Sequence, residues 1–144
     1  MAGPVEEVPL ARWREVLGVN VIGAVAMTQA MLPLLRAGRG RIVNVSSVSG
    51  RIASPFLGAY AASKFALEAL SDSLRVELLP WGLAVVLVEP GPVATPIWGK
   101  GAAMAEEDRA GLGERSPYAP YLARVRQAFG EGATRGSRRR RWRR

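Results

Sequence analysis

Apolar residues in this chain recur first at helical spacing, then in a short β-branched run, then at helical spacing and as a second β-branched run. The first periodic segment is Pro9 to Arg36, where Trp13, Val16, Leu17, Asn20, Ile22 and Gly23 interleave with Arg12, Arg14 and Glu15. Pro9 suits the first helical position, where a missing N–H costs nothing. The glycines of "AGRGR" end the segment. "RIVNVSS" (Arg41 to Ser47) then places Ile42, Val43 and Val45 on both faces of a strand, the pattern of a parallel-sheet interior. "VSGRIASPFLG" is a loop with Gly50, Pro55 and Gly58 as breakers. A second helix is predicted from Ala59 to Leu79, with Leu67, Leu70, Leu74 and Leu78 forming one stripe. "PWG" stops it, and "LAVVLVE" (Leu83 to Glu89) is a second interior strand. "PGPVATP" leaves that strand as a stiff loop. Residues 99–115 are rich in glycine, alanine and charge and read as a mobile connection. Ser116 to Gly130 reads as a third helix.

Helix, strand, helix, strand, loop, helix is the order of an α/β fold with right-handed crossovers and a parallel sheet. Two strands buried on both faces need further strands beside them. The pattern therefore predicts part of a larger doubly wound sheet.

Composition narrows the chemistry. The 144 residues are 49% hydrophobic and 22% charged, as expected of a globular chain. There is no cysteine and no histidine. Disulfides, thiol catalysis, imidazole bases and the usual zinc sites are excluded. Acid–base work falls to Tyr, Lys, Asp, Glu or Ser. The lack of cysteine fits a cytoplasmic setting, and the acidic N-terminus does not read as a secretory signal. Val19 to Leu35 is the longest apolar stretch, but Asn20, Thr28, Gln29 and Pro33 interrupt it. It reads as a buried helix rather than a membrane span. The net charge is +8, yet six arginines stand in the last seven residues, "RRRRWRR"; subtracting those six leaves +2 for the rest. That distribution argues against a nucleic-acid-binding body. It reads as a disordered Arg-rich tail over residues 131–144, with an electrostatic anchor as the alternative.

"YAASK" puts Tyr60 and Lys64 on one face of the second helix. An ammonium about 5 Å from a phenol, at an effective dielectric of about 20, favours the phenolate by roughly 3 kcal/mol. Tyr60 is thereby a candidate general acid for reducing a carbonyl and a general base for oxidising an alcohol. Ser47 ends the first strand 13 residues earlier, at the carboxyl edge where α/β sites form. Asn20 is an amide inside an apolar helix and needs a partner. "PGPVAT" leaves the second strand at the same edge. Each of these also has an ordinary use, as strand end, helix bend or turn.

"VNVIG", "GRIVNVSSVSG", "YAASKFAL" and "VEPGPVATP", in this order and spacing, resemble the C-terminal half of a short-chain dehydrogenase/reductase. The resemblance covers residues 5–98 closely and 99–130 loosely, so residues 1–130 form one part-domain. It implies a partial Rossmann-like fold and an NAD(P)-dependent oxidoreductase that moves hydride between nicotinamide and an alcohol or ketone. On this resemblance Asn20 holds a water linked to the lysine, and Ser47 orients the substrate oxygen. Tyr60 is the acid–base. Lys64 eases its ionisation and binds the nicotinamide ribose. Pro90, Gly91, Val93 and Thr95 form the loop that contacts the nicotinamide. The segment Ile97 to Phe129, with Trp98, Met104, Tyr118, Tyr121 and Leu122, occupies the lid position and suggests an apolar substrate.

The resemblance also implies an N-terminal strand, a glycine-rich turn and a helix that bind the rest of NAD or NADP. "AGRGR" does not replace them, because its glycines follow a helix and precede a strand. The expectation is a truncated form, unstable or molten alone, with impaired or no activity. The alternative is a non-catalytic interaction module, or a homo-oligomer, formed through the helices at 9–36 and 59–79.

Overall fold

The computed structural model describes residues 3–92 and 116–121. The first helical segment is one continuous rod with a wide turn in it. Helix α1 is Leu10–Leu17, a π-helical turn spans Gly18–Ile22, and helix α2 is Gly23–Gly38. Pro9 has extended backbone and caps α1 from one residue outside. Within the π turn the Gly23 N–H reaches back five residues to the Gly18 carbonyl. The rod ends at Arg39, which takes the left-handed conformation at φ 50° and ψ 45°. The next N–H, of Gly40, closes the end on the Leu35 carbonyl at 2.9 Å. A Cβ on Gly40 would lie 2.5 Å from the tip of the Leu35 side chain, which would have to turn aside.

Strand β1 is Arg41–Val45 and strand β2 is Ala84–Val88; they pair in parallel, Arg41 beside Ala84 through Val45 beside Val88. Helix α3, Gly58–Glu77, makes the crossover between them. Hydrogen bonds continue past the strands. Ser46 N–H donates to the Val88 carbonyl at 2.8 Å, and Val48 N–H to that of Pro90 at 3.1 Å. The two chain exits at the carboxyl edge are thus held side by side.

The core lies on one face of this pair. Ile42 and Val85 meet Leu74, Leu78 and Leu83, with Leu32, Leu35 and Leu70 packed around them. Leu70, Leu74 and Leu78 of the predicted leucine stripe belong to this surface. Two serines set its closeness: Ser63 and Ser71 are wholly buried. Ser71 receives the Asn44 amide at 2.8 Å and bonds the Leu67 carbonyl at 2.7 Å, pinning β1 to α3.

The opposite face departs from the sequence reading. Among the described residues nothing covers Val43, Val45, Val86 and Val88, which are 41–58% exposed. The α1–α2 rod departs from it too. It was expected to be buried, yet no residue in it is, and Val19, Ile22, Met27 and Leu34 face outward. By length and composition Leu10–Gly38 passes for a membrane-crossing helix, a test that core helices also pass. Among the described residues nothing covers these outward apolar positions.

Residues 116–121 return to the N-terminal segment. Ser116 donates to Glu7 Oε1 at 2.6 Å, and Tyr118 meets the Phe56 ring edge-on at 6.1 Å. Residues 119–121 are helical, where the third helix was predicted to begin. The remainder of that helix, the connection 99–115 and the tail 131–144 lie outside the described residues.

Candidate active site

The carboxyl ends of β1 and β2 and the first turns of α3 form one corner. Leu57 precedes α3, so Tyr60 is its third residue and Lys64 follows one turn later. Lys64 Nζ donates to the Val45 carbonyl, the last of β1, at 2.9 Å. The same nitrogen stands 5.8 Å from the centre of the Tyr60 ring. The helical register thus sets the pair, and the strand end fixes the lysine. Both side chains are half-buried. Burial pushes the Lys64 ammonium below the ordinary lysine range, and the Glu68 carboxylate one turn on works against that shift.

Ser47 follows Val45 by two residues and is in extended backbone. Its hydroxyl accepts the Ser49 N–H at 3.1 Å and caps the short 3-10 turn Val48–Gly50. This keeps Ser47 at the strand edge rather than in a free loop.

Asn20 sits in the π turn, a geometry that often marks functional positions. Its amide donates to Ser63 Oγ at 3.0 Å, and Ser63 donates to the Tyr60 carbonyl at 2.7 Å. Asn20 therefore joins the corner through Ser63, the residue before Lys64. Sequence reading missed Ser63. The only signal available was a small polar residue inside an apolar helix face.

Pro90 and Gly91 follow β2, with Pro90 bonded to Val48 beside Ser47. Val93 and Thr95, and with them Trp98, Met104 and Leu122, lie outside the described residues.

A family model for short chain dehydrogenase matches residues 1–106. The chain belongs to the short-chain dehydrogenase family. Among its relatives, the NADPH-dependent 3-dehydrocapnine reductase of Ornithobacterium rhinotracheale is 45% identical over 103 residues, 68% of this chain and 36% of that protein. The 17-beta-hydroxysteroid dehydrogenase type 1 of Homo sapiens is 43% identical over 136 residues, 92% of this chain and 42% of that one. A short chain dehydrogenase from Shigella flexneri, solved as a complex with NADP, superposes with a TM-score of 0.63 at 36% identity. It covers 67% of this chain and 40% of its own. This short-chain dehydrogenase chain thus spans less than half the length of the relatives it matches. The likeness extends to the fold: β1, α3 and β2 are a parallel crossover unit of a Rossmann-like sheet.

Proposed function

We propose that this chain carries the acid–base half of an NAD(P)-dependent oxidoreductase that interconverts an alcohol and a ketone. The observation that supports it most directly is the Tyr60–Lys64 pair at the sheet edge, with Lys64 anchored to the Val45 carbonyl. The bound nicotinamide cofactor would supply or accept the hydride. Tyr60 donates the proton to the carbonyl oxygen in reduction and removes it in oxidation. Lys64 sets its ammonium 5.8 Å from the centre of the phenol ring. One of its three N–H groups is committed to Val45, which leaves two for the hydroxyls of a ribose. Ser47 holds the substrate oxygen beside the phenol. Asn20 keeps the first turn of α3 in place through Ser63 and, with a water, links Lys64 to solvent.

The residues fit the nicotinamide end of the cofactor: Lys64 donates at the edge, and Pro90 and Gly91 stand on the neighbouring strand exit. Val93 and Thr95 belong to the same proposed loop. Among the described residues no closely spaced glycines join a strand to a helix, the element that would bind the pyrophosphate. NAD and NADP are equal candidates. An apolar substrate and a cytoplasmic setting belong to the same proposal.

The test supplies the cofactor-binding half of a relative, fused or co-expressed, and follows NAD(P)H oxidation with a panel of ketones. We expect turnover that falls at least 100-fold in Tyr60→Phe, as befits loss of a general acid. Turnover indifferent to Tyr60 would sink the reading. The 144-residue chain alone should show little or no activity.

A second reading rests on the outward-facing Val19, Ile22, Met27, Leu34 and Phe65. These suit a helical interaction surface, either for a second copy or for a complete relative. Sedimentation of the chain alone and mixed with such a relative separates the two, and a strictly monomeric chain in both would count against it.

A further inference from the structure

Arg51 stands between the two strand exits and α3. It follows the short turn Val48–Gly50 that Ser47 caps, and its own N–H closes that turn on the Val48 carbonyl at 3.0 Å. Its guanidinium reaches Glu89, the residue before Pro90, through Nη2 at 3.1 Å and Nε at 3.3 Å. Nη2 also lies 3.4 Å from Oε2 of Glu68 on α3. From the turn after β1, one side chain thus meets both the exit of β2 and the crossover helix.

An exposed ion pair contributes little, but this one is anchored on a buried group. Glu68 is 5% exposed, and neither carboxylate oxygen has a hydrogen-bond partner. The counter-ion placed on it is the Arg51 guanidinium. An apolar residue there would often be neutral or stabilising, so packing does not account for the carboxylate. Gly50 lets the turn close over it: a Cβ there would lie 3.0 Å from Glu68 Oε1 and 2.7 Å from Ser46 Oγ. The planar fork of arginine suits a group that meets two carboxylates at once. Two hydrogen bonds report on the turn so held. Val48 N–H donates to the Pro90 carbonyl, and Ser49 N–H to Ser47 Oγ, each at 3.1 Å.

We propose that Arg51 is a positioning residue: by holding Glu89 and Glu68 together, it locks the turn that Ser47 caps against the exit of β2 and the Pro90–Gly91 segment. It touches no reacting atom. It acts through Ser47, whose hydroxyl it keeps at the sheet edge, and through Pro90, which it keeps beside Val48. This rests on the roles given to Ser47 and Pro90 above.

Amide hydrogen exchange of the full chain reads the lock without turnover. In Arg51→Met, which keeps the apolar stem, the Val48 and Ser49 amides should exchange about tenfold faster. The Leu78 amide, bonded to the Leu74 carbonyl at the far end of α3, should keep its rate. Arg51→Met combined with Glu68→Met removes the buried charge along with its partner. It should release the turn in the same way, and it decides the matter if the single variant does not fold. Arg51→Lys, a point charge without the fork, should recover part of the protection. Unchanged exchange at Val48 and Ser49 overturns the proposal. So does exchange that rises equally at Leu78, which would make Arg51 a general stabiliser. Unprotected Val48 and Ser49 amides in the parent chain overturn it too, as does loss of the fold in both methionine variants. In the fused enzyme Arg51→Met should lower kcat about tenfold with little change in KM. A released turn without turnover, or with turnover indifferent to Tyr60, counts against the hydride-transfer reading alone. Turnover that needs Tyr60 but not Arg51 counts against this proposal alone.

Discussion

Lys64 spends a proton on the carbonyl of Val45, 2.9 Å away and 19 residues earlier in the chain. The bond makes the last peptide of β1 the floor on which the α3 lysine rests. It also ties a charged group to a half-buried position, and the stability of the chain should register that charge. In the unfolded chain Lys64 keeps its proton to about the ordinary value of 10.5, while in the folded chain it loses it at lower pH. Between the two values the unfolded state binds more protons, so stability rises with pH across that window. Urea midpoints of the parent chain should therefore climb relative to those of Lys64→Met as pH approaches 10.5. Parallel profiles would remove the argument.

Asn20→Ala removes the amide that reaches Ser63. The loss should be about 1 kcal/mol in denaturant unfolding, because Ser63 Oγ keeps its bond to the Tyr60 carbonyl. If Asn20 also serves the site, turnover in the reconstituted enzyme should fall by more than this stability change explains.

Arg39 pays a conformational penalty that glycine would not. It holds φ 50° at the end of α2. Arg39→Gly should raise stability by about 1 kcal/mol, the left-handed cost being partly offset by the looser unfolded chain. A loss of stability would show that the arginine side chain contributes more than its backbone costs.

The bare valines of the sheet should govern self-association. Val43, Val45, Val86 and Val88 form an apolar patch, and among the described residues no third strand pairs beside it. Changing Val43 and Val86 to threonine keeps the β-branched shape and should lower the concentration-dependent scattering of the isolated chain. Unchanged scattering would move attention to the α1–α2 rod.

Much of this arrangement was legible in the sequence. The leucine stripe of α3 and the β-branched runs of β1 and β2 gave the crossover unit, because burial on a known period is a strong signal. Tyr60 and Lys64 were legible for the same reason, as one turn of one helix. Three features were not. The π turn around Asn20 leaves no mark in hydrophobic pattern, since Val19, Val21 and Ile22 are apolar in either register. Ser63 and Ser71 look like interruptions of an apolar face, and only contact reveals them as the points of closest approach. The burial of Glu68, between Leu67 and Leu70, leaves no mark in the sequence either, because one residue's side on a helix is not fixed until its neighbours are. The outward-facing helix rod went unread for a different reason: the periodicity reports what an element is shaped to meet, not whether the described residues supply it.

The π turn has a consequence for how the rod is aimed. An α-helix rotates by about 100° per residue, and the wide turn at Gly18–Ile22 accommodates one residue beyond the α-helical count. Trp13 before it lies against Gly58 at the start of α3, while Leu32 and Leu35 after it sit on the sheet core. On an uninterrupted α-helix Trp13 and Leu32 would stand about 100° apart, and the residue taken up by the wide turn offsets that rotation. Deleting one residue from the turn would leave Leu32 and Leu35 seated and swing Trp13 off α3. The rod is two separately aimed levers, and Asn20 is at their joint.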